Sequence, residues 1–168
     1  MRFIHWSNKP LIEMIEYTDQ QKDLFKPDGL WFSVESGNND GWLDWCKTEE
    51  FRLNQFSRAT EVILVDDANV LWIKNRIELE NFTSSYYIKT GSRYSEIDWD
   101  KIKQKHDGII IAPYLHSCRL NFMWYYSWDC AAGVIWRKRA IKSLLDVPEL
   151  AFTAGPKTHY QPQSTEPD

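Results

Sequence analysis

Cysteine is scarce, and what there is makes an odd number: Cys46, Cys118 and Cys130. No disulfide framework is expected from three thiols in a chain that shows no secretory leader, where Arg2 is followed by His5, Asn8 and Lys9. His116 and Cys118 with Cys130 fit no known spacing of paired zinc ligands, so no metal is expected. No apolar run is long enough to cross a bilayer. These absences point away from membranes and toward a reducing cytoplasm. Positive charge is also short, with 20 Lys and Arg against 24 Asp and Glu, a formal net charge of −4. Long-range attraction therefore does not favour nucleic-acid phosphates, although a local basic strip would not be prevented. Gly-rich phosphate loops of the Rossmann or P-loop type are missing, as are the Gly-x-Ser-x-Gly elbow and any Cys–His signature. Asp66-Asp67 and Asp98-x-Asp100 read as turn and helix-cap residues rather than as a magnesium site.

What is abundant is aromatic surface. Aromatic residues make up 15% of the chain, with nine Trp. Such rings fill cores, but Trp and Tyr also carry a polar tip that suits clefts and interfaces. Core filling accounts for single tryptophans more easily than for the run Trp124-Tyr125-Tyr126-Ser127-Trp128. At 168 residues, 43% hydrophobic and 26% charged, the chain can bury a core without disulfides or metal. Residues 1–150 read as a single domain. Residues 151–168, rich in proline and polar side chains, read as a disordered tail.

Short strands dominate the pattern. They are expected over Met1 to Trp6, Leu30 to Val34, Glu61 to Val65, Val70 to Ile73, Gly108 to Ala112 and Ala132 to Trp136. Helices are expected over Pro10 to Tyr17, Trp42 to Leu53, Ile77 to Tyr86, Trp99 to Lys105 and Arg137 to Leu145. Phe122 to Tyr126 fits a strand or a loop. The fold class is α+β, with a mostly antiparallel sheet split into two sheets around a central cleft and flanked by helices.

Three segments carry chemistry within or beside such strands: Phe3-Ile4-His5-Trp6-Ser7, Gly29-Leu30-Trp31-Phe32-Ser33 and Trp128-Asp129-Cys130-Ala131-Ala132-Gly133-Val134-Ile135-Trp136. Their order resembles the ADP-ribosyltransferase superfamily, in the His–Tyr–Glu branch of poly-ADP-ribose polymerases and diphtheria-type toxins. His5-Trp6-Ser7 matches the branch's His-Gly-Ser or His-Gly-Thr motif, with Trp for Gly. Gly29-Leu30-Trp31-Phe32 matches Gly-(Leu or Ile)-Tyr-Phe, with Trp31 at the Tyr position. Asp129 is the nearest candidate for the late Glu. His106-Asp107-Gly108-Ile109 is similar to the family's Tyr-Asp-Gly-Ile strand start, and Glu61 to Val65 with Val70 to Ile73 is similar to its paired strands. The resemblance implies a substrate, NAD, whose nicotinamide–ribose bond is cleaved, with ADP-ribose passing to a protein or nucleic-acid acceptor, or to water in an NAD glycohydrolase. Small proteins of this kind act as toxins, effectors or factors in phage–host conflict.

Under that resemblance Asp129 stabilises an oxocarbenium-like transition state and orients the ribose. His5 holds a ribose hydroxyl of the adenosine half and Trp31 stacks on nicotinamide. Ser7 and Ser33 supply contacts to the amide, and Arg119 and Asn121 contact the pyrophosphate. Plainer readings stand beside these. Asp129 also fits a turn ahead of its strand, His5 a buried histidine satisfied by backbone, and Trp31 a core residue. The alternative for the whole chain is a non-catalytic module that binds a nucleotide, a nucleic acid or a protein segment in an aromatic cleft.

Overall fold

The computed structural model describes residues 1–14, 26–88 and 96–152. Its strands are β1 (Arg2–Ser7), β2 (Leu30–Glu35), β3 (Arg58–Leu64), β4 (Val70–Ile73), β5 (Tyr87–Ile88), β6 (Glu96–Ile97), β7 (Gly108–Ile111), β8 (Ala132–Ile135) and β9 (Ile141–Asp146). Four α-helices accompany them among the described residues: α1 (Trp42–Thr48), α2 (Arg76–Tyr86), α3 (Trp99–Lys103) and α4 (Met123–Tyr126). Seven strands form one sheet in the order β4-β7-β8-β2-β1-β3-β9, and β5 and β6 make a separate ribbon. Within the large sheet only β4 and β7 run parallel; the other neighbours are antiparallel. The α+β expectation holds at that level. The expectation of two sheets is corrected, because β1 and β2 join both halves into one.

That sheet cannot be flat. β3 and β4 stand five positions apart in it, roughly 24 Å at ordinary strand spacing. Residues 65–69, which join them, reach about 21 Å at most when fully extended. A turn shortens the link further, with the Ala68 amide donating to the Val65 carbonyl at 3.2 Å. The sheet therefore curls until its halves face each other. Phe3 of β1 and Trp72 of β4 meet across the curl with ring centroids 6.0 Å apart. Phe3 also packs on Phe32 of β2 at 5.0 Å.

β7 and β8 are buried along their whole length, which is why both read as unbroken apolar runs rather than alternating ones. Phe82 of α2, Trp99 of α3 and Trp124 of α4 belong to the same buried cluster, with centroids 5.3 to 6.1 Å apart. The Asp98 side chain accepts from the Lys101 amide at 3.0 Å and caps α3, as the sequence suggested.

Several expectations are revised. Residues 10–14 are irregular rather than helical, and the rest of the helix expected to Tyr17 lies outside the described residues. The helix from Trp42 ends at Thr48, followed by a single 3-10 turn over Leu53–Gln55. Phe122 to Tyr126 contains the short helix α4. Arg137 to Leu145 is not a helix: a 3-10 turn over Lys138–Ala140 leads into β9. Ile141, Leu144 and Leu145 have helical spacing, but β3 offers an open edge and its ladder overrides local preference. β3 and β4 are not partners. β1 and β9 flank β3 on both sides, so β4 is left to pair with β7. The expected tail lies outside the described residues beyond Phe152. Among those described, no helix is long and apolar enough to cross a membrane.

Gly133 of β8 is paired with Phe32 and Ile110 on either side. A Cβ there would lie 2.5 Å from the Phe32 ring and 2.8 Å from Ile110. Gly133→Ala is expected to cost about 1–3 kcal/mol by overpacking, read from urea unfolding midpoints. Stability equal to that of the parent would contradict this packing.

Candidate functional site

The site arises where two strands stop pairing. The β1–β2 register runs from Arg2 opposite Glu35 to Ile4 opposite Ser33. Beyond that point His5 to Ser7 pair with β3, and Leu30 to Phe32 pair with β8. The His5 ring bridges the parting: its Nδ1 lies 2.7 Å from the Trp31 carbonyl oxygen. A carbonyl only accepts, so Nδ1 carries the proton and Nε2 is the acceptor of the neutral ring. Burial, the larger influence, lowers the His5 pKa below 6.5, and the backbone bond partly opposes it. His5 is therefore neutral at pH 7.

A hollow of about 330 Å³ opens at this parting, near the lower end of ligand pockets. It touches Ile4, His5 and Trp6 in succession on β1, and Trp31, Phe32 and Ser33 in succession on β2. Successive strand residues point to opposite faces, so a hollow meeting three in a row reaches the strand edges, where β1 and β2 diverge. Trp42, Trp128 and Asp129 complete the wall used below. Trp42 is brought there by Ser33, whose hydroxyl donates to Glu35 and accepts from the Trp42 amide, both at 2.7 Å. Gly41 permits the approach, since a Cβ there would lie 2.8 Å from both the Glu35 carboxylate and Ser33 Oγ. Trp31 stands edge-on to Trp128 at 4.8 Å and donates its indole N–H to the Pro27 carbonyl at 3.2 Å. The Lys26 ammonium sits 5.2 Å over the Trp31 ring.

Asp129 is held from the far side by Arg119, whose Nη2 donates to Oδ1 at 3.2 Å. Burial pushes the carboxyl above its ordinary value, although Lys26 and Arg119 pull it down. Asp129 also lines a second hollow of about 230 Å³, together with Asp40, Asp44, Glu49, Tyr114 and Arg119. One carboxylate thus forms the wall between two hollows.

Unpartnered buried groups mark the same place. Among the described residues five buried side-chain polar atoms have no hydrogen-bond partner: Trp6 Nε1, Trp128 Nε1, Asp40 Oδ1, Tyr114 Oη and Arg119 Nε. The first two belong to residues lining the aromatic hollow, the other three to residues lining the second. Folded proteins rarely leave such groups unmatched, so their confinement to these walls argues that ligands complete them.

Of the residues expected from sequence, His5, Trp31, Asp129 and Ser33 meet at the aromatic hollow, though the Ser33 hydroxyl is already engaged on both sides. Arg119 lines the second hollow instead. Ser7 donates to the Lys9 carbonyl at 2.7 Å, and neither it nor Asn121 lines either hollow. Sequence reasoning missed Trp6, Trp42, Asp40 and Tyr114. The abundance of tryptophan was a signal for the first two, whereas nothing in the pattern marked Asp40 or Tyr114. Comparison with protein-family models, with curated proteins and with solved structures finds no match to this chain.

The raised carboxyl gives a stability prediction. A carboxyl whose folded pKa exceeds the unfolded 3.8 favours folding below that value and loses the benefit as pH rises through the folded pKa. Asp129→Asn is therefore expected to melt at or above the parent temperature at pH 7, with the difference shrinking as pH falls toward 3.8. A clearly lower melting temperature at pH 7 would show that the Arg119 pair outweighs burial.

Proposed function

We propose that the chain is an NAD-dependent ADP-ribosyltransferase, or the closely related glycohydrolase, acting in the cytoplasm as a toxin, effector or phage–host conflict factor. What supports this reading is one observation: His5, Trp31 and Asp129, far apart in sequence, line the same hollow. That hollow suits the nicotinamide–ribose end of the dinucleotide, with the adenosine half lying toward the parted end of β1. The three buried thiols, free of disulfides, agree with a reducing compartment.

In this reading the nicotinamide ring lies against Trp31 and displaces the Lys26 ammonium, one cationic group taking the place of another over the same ring. Neutral His5 accepts a hydrogen bond from a ribose hydroxyl through Nε2. Asp129 faces the anomeric carbon and stabilises positive charge as the bond to nicotinamide breaks. Its raised pKa reflects a poorly solvated carboxylate, for which a developing cation is a better partner than water. The indole N–H groups of Trp6 and Trp128 supply donors for the carboxamide or ribose oxygens. Asp129 is one methylene shorter than the glutamate of the resembling family, so the sugar must sit closer to the backbone.

A second reading, a non-catalytic module holding a nucleotide, nucleic acid or protein segment, is favoured by the Arg119 guanidinium on Asp129 at 3.2 Å. That pair occupies one carboxylate oxygen in a role that needs no chemistry.

Release of nicotinamide from NAD by the purified chain separates the two. The first reading expects turnover, and expects Asp129→Ala to slow it by roughly 10²–10³-fold. Binding without release supports the module, and unchanged turnover in the variant removes Asp129 from the mechanism. Since His5 titrates below 6.5, release should be level from neutral pH down to that value. A loss already complete at pH 7 would mean that His5 does not act as the neutral acceptor.

A further inference from the structure

The second hollow has a construction of its own. Tyr114 is 6% exposed, yet its hydroxyl has no partner. The charges of Arg119 and Asp129, both lining this hollow, act on that hydroxyl, and burial pushes its pKa up to about 12. Tyr114 lines the hollow, and its buried hydroxyl stays protonated, able to donate or to accept. Its backbone is tied to another lining residue, since the Tyr114 amide donates to Asp40 Oδ2 at 2.9 Å. That bond leaves Asp40 Oδ1 as the orphaned acceptor. Arg119 gives Nη2 to Asp129 and keeps Nε as an orphaned donor.

Charge narrows what could match these groups. Four carboxylates line the hollow, Asp40, Asp44, Glu49 and Asp129, against the single guanidinium of Arg119. Asp129 is neutralised by that guanidinium, whereas Asp40, Asp44 and Glu49 make no ion pair among the described residues. An anion would face these three carboxylates, so a cation is the matching charge. A planar guanidinium can donate to Asp40 and Tyr114 together and lie on an aromatic face. Trp45 lines the hollow and is itself stacked on Trp42 at 5.0 Å. The Arg119 Nε needs an acceptor, which a guanidinium lacks and a peptide carbonyl supplies.

We infer that the hollow between Asp40, Tyr114 and Arg119 binds an arginine side chain of a peptide or protein, with its guanidinium on Asp40 and Tyr114 and a neighbouring carbonyl on Arg119 Nε. The site stands on its own geometry and does not depend on what fills the aromatic cleft. An arginine bound here lies beside Asp129, the wall common to both hollows.

Calorimetric titration of the full chain with N-acetyl-arginine amide, without NAD, tests the assignment. Saturable binding is expected, weaker by about tenfold or more in Tyr114→Phe, which removes one hydrogen bond to a charged group. The same variant should keep or raise the melting temperature, because the deleted hydroxyl has no partner in the fold. Asp44→Asn should weaken binding less and also leave the fold intact. No saturation, equal binding of N-acetyl-lysine amide, tighter binding of inorganic phosphate, or parental affinity in Tyr114→Phe would each overturn it. None of these outcomes bears on nicotinamide release.

Discussion

Backbone groups in a sheet must be satisfied, and a sheet interior does this by unbroken pairing. Here the ladder between β1 and β2 ends at Ile4 and Ser33 while both strands continue. The freed Trp31 carbonyl takes its hydrogen from the His5 imidazole instead. That one contact keeps the strands together at the point where they part, fixes the histidine tautomer, and leaves a gap large enough to become a hollow. The curl imposed by the short link between β3 and β4 brings Phe3 against Trp72 and closes the core on one side of the sheet. The parting of the strands is thus held within an otherwise continuous, tightly packed layer.

The walls of the gap carry a cost that the fold does not recover internally. Two indole donors, a tyrosine hydroxyl, a carboxylate oxygen and an arginine nitrogen are buried without partners. Each such group costs on the order of 1–3 kcal/mol when left unmatched. Asp129 adds a carboxyl whose charged form is disfavoured by burial. Among the described residues these penalties fall on side chains that line two adjacent hollows rather than being scattered through the core. A concentration of unsatisfied groups and a raised carboxyl is the pattern expected where structure is held ready for a ligand.

Much of the fold was legible because strands buried on both faces advertise themselves as apolar runs. β4 and the buried centres of β2, β7 and β8 stand where their hydrophobic segments predict. β9 was hidden because Ile141, Leu144 and Leu145 mimic a helical stripe, and only the open edge of β3 makes it a strand. The number of sheets was illegible for a related reason, since joining the halves depends on three residue pairs between β1 and β2. Within the site, His5, Trp31 and Asp129 were visible as polar or aromatic interruptions in or beside strands. Asp40 sits in a loop and Tyr114 follows Pro113, where no periodicity operates. Their juxtaposition comes from a backbone contact across the fold, the Tyr114 amide on Asp40.

The account turns on whether the parted strands embrace a ligand. A crystal structure of the chain with a non-cleavable NAD analogue tests this most directly. The account predicts a nicotinamide ring against the Trp31 indole, with the adjoining ribose beside the Asp129 carboxylate and a hydroxyl of the adenosine ribose in hydrogen-bond reach of His5 Nε2. An analogue bound elsewhere on the surface, with Lys26 still over Trp31, would contradict it.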